Sequence, residues 1–195
     1  MAIDQKNYDP ALMYGATESN AGQTVTGNLS VSGTSTLTGA ITTSAAIVGN
    51  RSTATASGGT TRTLTAANSG SLNLFDSAAG ITYTLPAPVV GLYYDFLWVT
   101  LQTSSAHVVV TDAGTTLLQG SITMFSGEDV TPSSTLGPKQ FAGNGSSHIK
   151  TTTNGTTTGG GIGGWMRFVC TSATKWTVTG CINSPSGSLA TPFST

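Results

Sequence analysis

Charge is what this chain has least of. Asp, Glu, Lys and Arg supply 8% of its 195 residues, against about a quarter in an average soluble protein, and the formal net charge is -1. That scarcity leaves no basic stripe for nucleic acid and no polybasic patch for an anionic membrane surface. Long apolar runs are missing as well, so no helix of membrane-spanning length is expected. The opening stretch "MAIDQKNYDPALMYGATESNAG" shows no apolar core behind a basic flank, and no secretory signal is read in it. Cysteine is nearly absent: there are Cys170 and Cys181 alone. In "WMRFVCTSATKWTVTGC" a hairpin turning at Ala173-Thr174 sets Val169 opposite Val178 and Cys170 opposite Thr177. Cys181 then faces Met166, roughly 13 Å from Cys170 along the ladder and beyond the reach of about 7 Å that a disulfide allows. Free thiols are expected, which suits assembly in a reducing cytoplasm.

What replaces charge is threonine, serine and glycine. Threonine and the aromatics favour strands, and Gly, Asn-Gly and Ser-Gly steps punctuate them, so the composition points to an all-β protein. The most ordered pattern is "VTGNLSVSGTSTLTGAI". Its odd positions run Val25, Gly27, Leu29, Val31, Gly33, Ser35, Leu37, Gly39 and Ile41, and its even positions from Thr26 to Ala40 are small and mostly polar. Gly27, Gly33 and Gly39 stand six apart, as do Val25, Val31 and Leu37. An extended run of this length would reach about 55 to 60 Å, far beyond the usual strand. Alone it would expose an unpaired edge along its whole course.

Three arrangements meet that demand: rungs of a parallel β-helix, a meander within the following domain, or three identical chains wrapped about a common axis. A β-helix needs more repeats than the three hexads present. The trimer accounts for pairing, edge exposure and glycine spacing together, with Val25, Leu29, Val31, Leu37 and Ile41 on the axis and glycine where backbones approach closely. It is the arrangement expected here. Before it, residues 1–22 show neither helical nor strand periodicity. They read either as a disordered leader or as an arm that docks onto a partner through Tyr8, Leu12, Met13 and Tyr14.

The domain plan is therefore an anchoring arm (1–22), a glycine-spaced stem (23–50), a connector (51–69) with a first strand around 62–66, and a distal domain (70–195). The distal part holds all three tryptophans and every phenylalanine. Strands are expected near 71–76, 81–85, 92–101, 106–111, 116–119, 121–125, 147–152, 163–171 and 174–182. Short strands separated by turn residues, with no helical pattern, imply a β-sandwich of jelly-roll type.

"GNLSVSGTSTLTGAI" resembles the shaft segments of bacteriophage tail fibres and head fibres, where glycine-spaced Val/Leu/Thr runs form trimeric β stems. "TLTAANSGSLNLFDSAAGITYTLPAPVVGLYYDFLWV", "HVVVTDAGTTLLQG" and "GGWMRFVCTSATKWTVTG" resemble β-rich distal domains of phage virion proteins. The resemblance implies a homotrimeric virion structural protein, assembled in the host bacterial cytoplasm. It would be attached to the capsid or another virion protein as a decoration, cement or head-fibre protein, or would form a tail fibre or spike tip that binds a host-surface glycan. Because the shared motifs are compositional, no family site residue carries over.

Candidate chemistry is sparse. His107 in "SSAHVVV" and His148 in "GSSHIK" have no second His, Cys or carboxylate at ligand spacing, and both are read as structural or solvated. Glu128 and Asp129 would point to opposite sides of an extended segment, so they read as a solvated loop tip. Asp76 and Asp112 read as turn residues that accept local backbone N–H groups. "TTTNGTTTGGGIGG" lacks the lysine of a phosphate-binding loop and reads as a mobile β-loop. The glycosylation patterns at Asn50 and Asn144 are discounted without a secretory signal. Trp98, Trp165 and Trp176 could stack on sugars, but Phe96, Val99, Phe168 and Val178 beside them favour core packing. No catalytic, cofactor or metal site is read, and an enzyme is not expected.

Overall fold

The computed structural model describes residues 53–55, 61–127, 137–185 and 188–195. The expected stem residues Val25, Leu29, Val31, Leu37 and Ile41, and the arm residues Tyr8, Leu12, Met13 and Tyr14, lie outside them, as do Glu128 and Asp129. The described chain is nearly all β, with strands β1 (Thr53–Thr55), β2 (Thr61–Thr63), β3 (Leu72–Phe75), β4 (Thr82–Thr84), β5 (Tyr93–Trp98), β6 (His107–Val110), β7 (Leu117–Ser126), β8 (Lys139–Asn144), β9 (Lys150–Thr153), β10 (Gly161–Ser172), β11 (Lys175–Ser184) and β12 (Phe193–Ser194). A 3-10 turn at Ala66–Asn68 links β2 to β3, held by a reciprocal cap between Thr65 and Asn68.

These strands make two mixed sheets in a sandwich-like arrangement, as the composition implied. One has seven strands in the order β1-β3-β5-β10-β11-β7-β8, and the other five in the order β12-β9-β6-β4-β2. The first six strands alternate between the sheets, so β1, β3 and β5 pair in parallel on one side, and β2, β4 and β6 on the other. A parallel neighbour needs a crossover connection. Here each crossover is itself a strand of the opposite sheet, and the chain winds as a flattened coil. This pairing differs from the antiparallel ladders of a jelly roll, and it draws Thr53–Thr55 and Thr61–Thr63, from the stretch read as a connector, into the sheets. The rest of the chain is mostly antiparallel, although β7 runs parallel to β11 for ten residues.

Alternation along the strands explains the core. In β10, Met166, Phe168 and Cys170 point inward while Trp165, Arg167 and Thr171 point outward. In β11, Trp176, Val178 and Ile182 are buried in the same way. Phe75 stands where the sheets meet, with its ring 4.4 Å from Trp98, 5.4 Å edge-on from Tyr83 and 4.6 Å from His107. Phe96 bridges onward to Tyr83 at 5.2 Å and Phe168 at 5.3 Å.

Several expected boundaries move for identifiable reasons. The expected strands 116–119 and 121–125 are one strand, because Gly120 is not a turn. It holds φ +103° inside β7, where a Cβ would sit 2.2 Å from the Val178 carbonyl oxygen, so it marks a close approach of backbones. The strand expected at 147–152 begins later, at Lys150. β8 was not anticipated, since its residues are exposed or half-buried on both sides and give no clean alternation. In the β10–β11 hairpin an irregularity between Cys170 and Ser172 shifts the register by one, pairing Val169 with Thr177 and Cys170 with Trp176. Cys181 accordingly faces Trp165 rather than Met166. Both thiols are free, with Cys170 buried and Cys181 half-buried.

Candidate interaction face

The outer surface of the seven-stranded sheet carries the side chains that the core rejects. At its centre Arg167 on β10 reaches across to Asp95 on β5, its Cα partner, in a two-pronged ion pair of 2.6 and 2.7 Å. The guanidinium also lies 5.5 Å from the centre of the Tyr93 ring. Bonding to Asp95 raises the Arg167 pKa above its ordinary value, so the charge is fixed. Toward one end, Trp165 sits between Leu97 of β5 and Cys181 of β11 in a single row across the sheet. Its side chain is 45% exposed, so it departs from the core role expected of it, whereas Trp98 and Trp176 are fully buried. The reason is parity: Trp165 is one residue out of phase with the buried Met166 and Phe168.

Toward the other end the face turns polar. Gln119 donates to Thr177, and the hydroxyls of Thr171 and Thr177 lie 2.9 Å apart. Aromatic, apolar and paired polar groups thus succeed one another on one flat surface. Such a surface can bury a partner.

The loops at one end of the sandwich are fixed from within by buried polar groups. Gln102 donates to the Thr153 carbonyl at 2.8 Å and to that of Ser105, accepts from the Thr153 hydroxyl at 2.7 Å, and its backbone N–H reaches the Gly160 carbonyl at 3.0 Å. The Asn154 side-chain oxygen accepts the N–H groups of Thr156, Thr157 and Thr158. The Ser184 hydroxyl donates to Thr156, and the Ala190 N–H to Thr157. The segment expected as a mobile loop is therefore tied at both flanks, and buried Gly155, Gly159 and Gly160 let its backbone lie against Gln102 and Ile182.

His107 belongs to the same end. Its Nδ1 accepts the Ile81 N–H at 2.9 Å, which places the proton of the neutral ring on Nε2. Burial lowers its pKa to about 4, against smaller opposing influences from the Ser77 backbone and Asp76. His107 Nε2 and Asp76 Oδ1 are both buried without a hydrogen-bond partner, so the two are not joined in a proton relay. The Ser77 hydroxyl, not Asp76 Oδ1, accepts the Ala79 N–H in that turn. His148 is held locally: it accepts the Asn144 N–H at 3.2 Å, and its ring stacks on Phe193 at 5.6 Å. Among the described residues, no group of three or more His, Cys, Asp or Glu is placed to hold a metal ion, and no helix is long and apolar enough to cross a membrane.

No family model, curated protein or solved structure matches the chain. The face around Trp165 was not legible as a site in the sequence, although strand parity in "GWMRFVC" carries the signal that would have exposed it.

Proposed function

We propose that this chain is a structural protein of a bacteriophage virion, a homotrimer fixed to the capsid as a decoration, cement or head-fibre protein through its N-terminal arm. The observation that carries this reading is the hexad from Val25 to Ile41, whose glycine spacing and unbroken alternation call for partner chains around an axis. A charge-poor β-sandwich with a tied set of loops is consistent with a part whose work is mechanical. Three arms engaging the particle together would multiply a weak contact through effective concentration. The chain would be assembled in the host bacterial cytoplasm.

Deleting residues 1–22 from the full chain tests the attachment. The expected result is a trimer that no longer binds purified particles; retained binding would refute the arm. Gold-labelled antibody on intact virions separates the locations, since label confined to the tail would exclude the capsid.

A second reading, a tail-fibre or spike tip that binds host glycan, is favoured by the half-exposed Trp165 beside the Arg167–Asp95 pair, because sugars stack on such rings and bond to such groups. Binding to a bacterial glycan array that is lost in Trp165→Ala would favour it.

A further inference from the structure

Two loops of the chain carry the same labile chemistry. "NGSSH" at 144–148 begins where β8 ends, "NGTTT" at 154–158 follows β9, and each sets a glycine directly after an asparagine. Such a step can deamidate, because a glycine nitrogen is unhindered by a following side chain. The nitrogen gives its proton to a base in solvent and bonds to the asparagine Cγ, and Nδ2 leaves as ammonia. Water then opens the five-membered imide and leaves an aspartyl or β-aspartyl carboxylate.

Both folded loops hold this reaction shut. Each reacting nitrogen is engaged: the Gly145 N–H donates to the Leu118 carbonyl, and the Gly155 N–H to the Gly159 carbonyl, both at 2.9 Å. The Asn144 side-chain oxygen accepts the N–H groups of Ser146, Ser147 and His148, and its amide donates to the Ser147 hydroxyl at 2.8 Å. Asn154 repeats the set with Thr156, Thr157 and Thr158, and its amide donates to the Thr157 hydroxyl at 3.0 Å. Ring closure requires side chain and peptide to leave these bonds together, so it waits on opening of the loop. At 155 the labile step cannot be exchanged for a safer one, since a Cβ there would lie 2.3 Å from the Gln102 carbonyl oxygen.

What else holds the loops differs. The Asn154 loop follows a strand paired on both sides, and it is tied from outside by the Ser184 hydroxyl at Thr156 and the Ala190 N–H at Thr157. Asn144 ends the edge strand of its sheet, which is paired on one side only. Its loop is held by the His148 carbonyl on the Leu118 N–H at 2.7 Å, by its own N–H on His148 Nδ1, and by the stacking of His148 on Phe193. We propose that Asn144 is a site of spontaneous deamidation gated by the opening of its own loop, and that Asn154 is its protected twin. The Lys175 amine lies 3.4 Å from where a Cβ on Gly145 would stand, so a carboxylate formed at 144 gains a counter-charge.

Peptide mapping by mass spectrometry reads both sites in one sample. The full chain is incubated in warm, mildly alkaline buffer, native or unfolded in urea, and the conversion of amide to acid is followed at each asparagine. Unfolded, the two should convert at similar rates. In the native chain Asn144 should convert at least tenfold more slowly than when unfolded, and Asn154 more slowly still. His148→Ala should speed Asn144 severalfold and leave Asn154 unchanged, and Ser147→Ala serves as a second variant should the first fail to fold.

Native conversion of Asn144 as fast as in urea overturns the gate. A native chain in which Asn154 converts first, or in which neither converts while the unfolded chain is consumed, overturns the assignment of Asn144. Equal acceleration of both sites in the variant refutes a local opening in favour of a global one.

Discussion

The front of the sandwich, through β6, and the rear, from β7 onward, solve the same packing problem differently. In front, strands of three to six residues wind alternately through the two sheets, and each gains little from its own backbone ladder. Cohesion there comes from aromatic side chains that meet across the core around Phe75. At the rear, β7, β10 and β11 are ten to twelve residues long, and cohesion comes from extended ladders brought close by glycine. The two regions join where β5 pairs with β10 and β6 with β9. Short parallel strands can thus be stable when the side chains between sheets supply what the ladders lack.

Substitutions that strike one mode of cohesion at a time should separate the halves. Phe75→Ala removes the ring shared by Trp98, Tyr83 and His107, and should cost about 3 to 5 kcal/mol in urea unfolding, with hydrogen exchange accelerating first in β3 to β6. If exchange rose first in β10 and β11, the division would be wrong. Gly120→Ala attacks the rear. The left-handed backbone and the clash with Val178 together should cost about 3 kcal/mol, seen as loss of protection along β7 and β11.

Acid should weaken the front. His107 has a folded pKa of about 4, below its ordinary value of 6.5, so between those values the unfolded chain binds the extra proton. Stability attributable to His107 is complete above about pH 6.5 and is lost as pH falls toward 4, by roughly 2 to 3 kcal/mol over the window. His107→Asn, whose amide oxygen is bonded to Cγ as Nδ1 is and can accept the Ile81 N–H, should flatten the slope of unfolding free energy against pH. An unchanged slope would assign the acid sensitivity elsewhere. The smallest effect is expected at the seam: Arg167→Met should cost about 1 to 2 kcal/mol, because the Arg167 side chain is half exposed but the nearly buried Asp95 carboxylate loses its two-pronged bond, and part of the difference should shrink in high salt.

The halves also differ in how far the sequence discloses them. Long alternating strands such as "WMRFVC" and "WTVTG" announce an amphipathic hairpin, and only the one-residue irregularity beside Cys170 escaped that reading. The front strands were placed nearly as well, since Ile81, Tyr83 and Leu85 alternate cleanly. Their parallel pairing was not legible, because a strand's own pattern says nothing about the direction of its neighbour. Gly120 misled for a related reason: a glycine that admits a neighbouring backbone looks the same in sequence as one that makes a turn. Trp165 was assigned to the core from the company it keeps, when its parity relative to Met166 and Phe168 decides its face. The tied loop after Thr153 was hidden because Gln102, which anchors it, lies 51 residues away.

Light scattering on the full chain at micromolar concentration tests the assembly most directly. A mass three times 19.7 kDa, about 59 kDa, that falls to the single-chain value when Val31 and Leu37 are both replaced by aspartate is the predicted result. A wild-type mass of 19.7 kDa would contradict it.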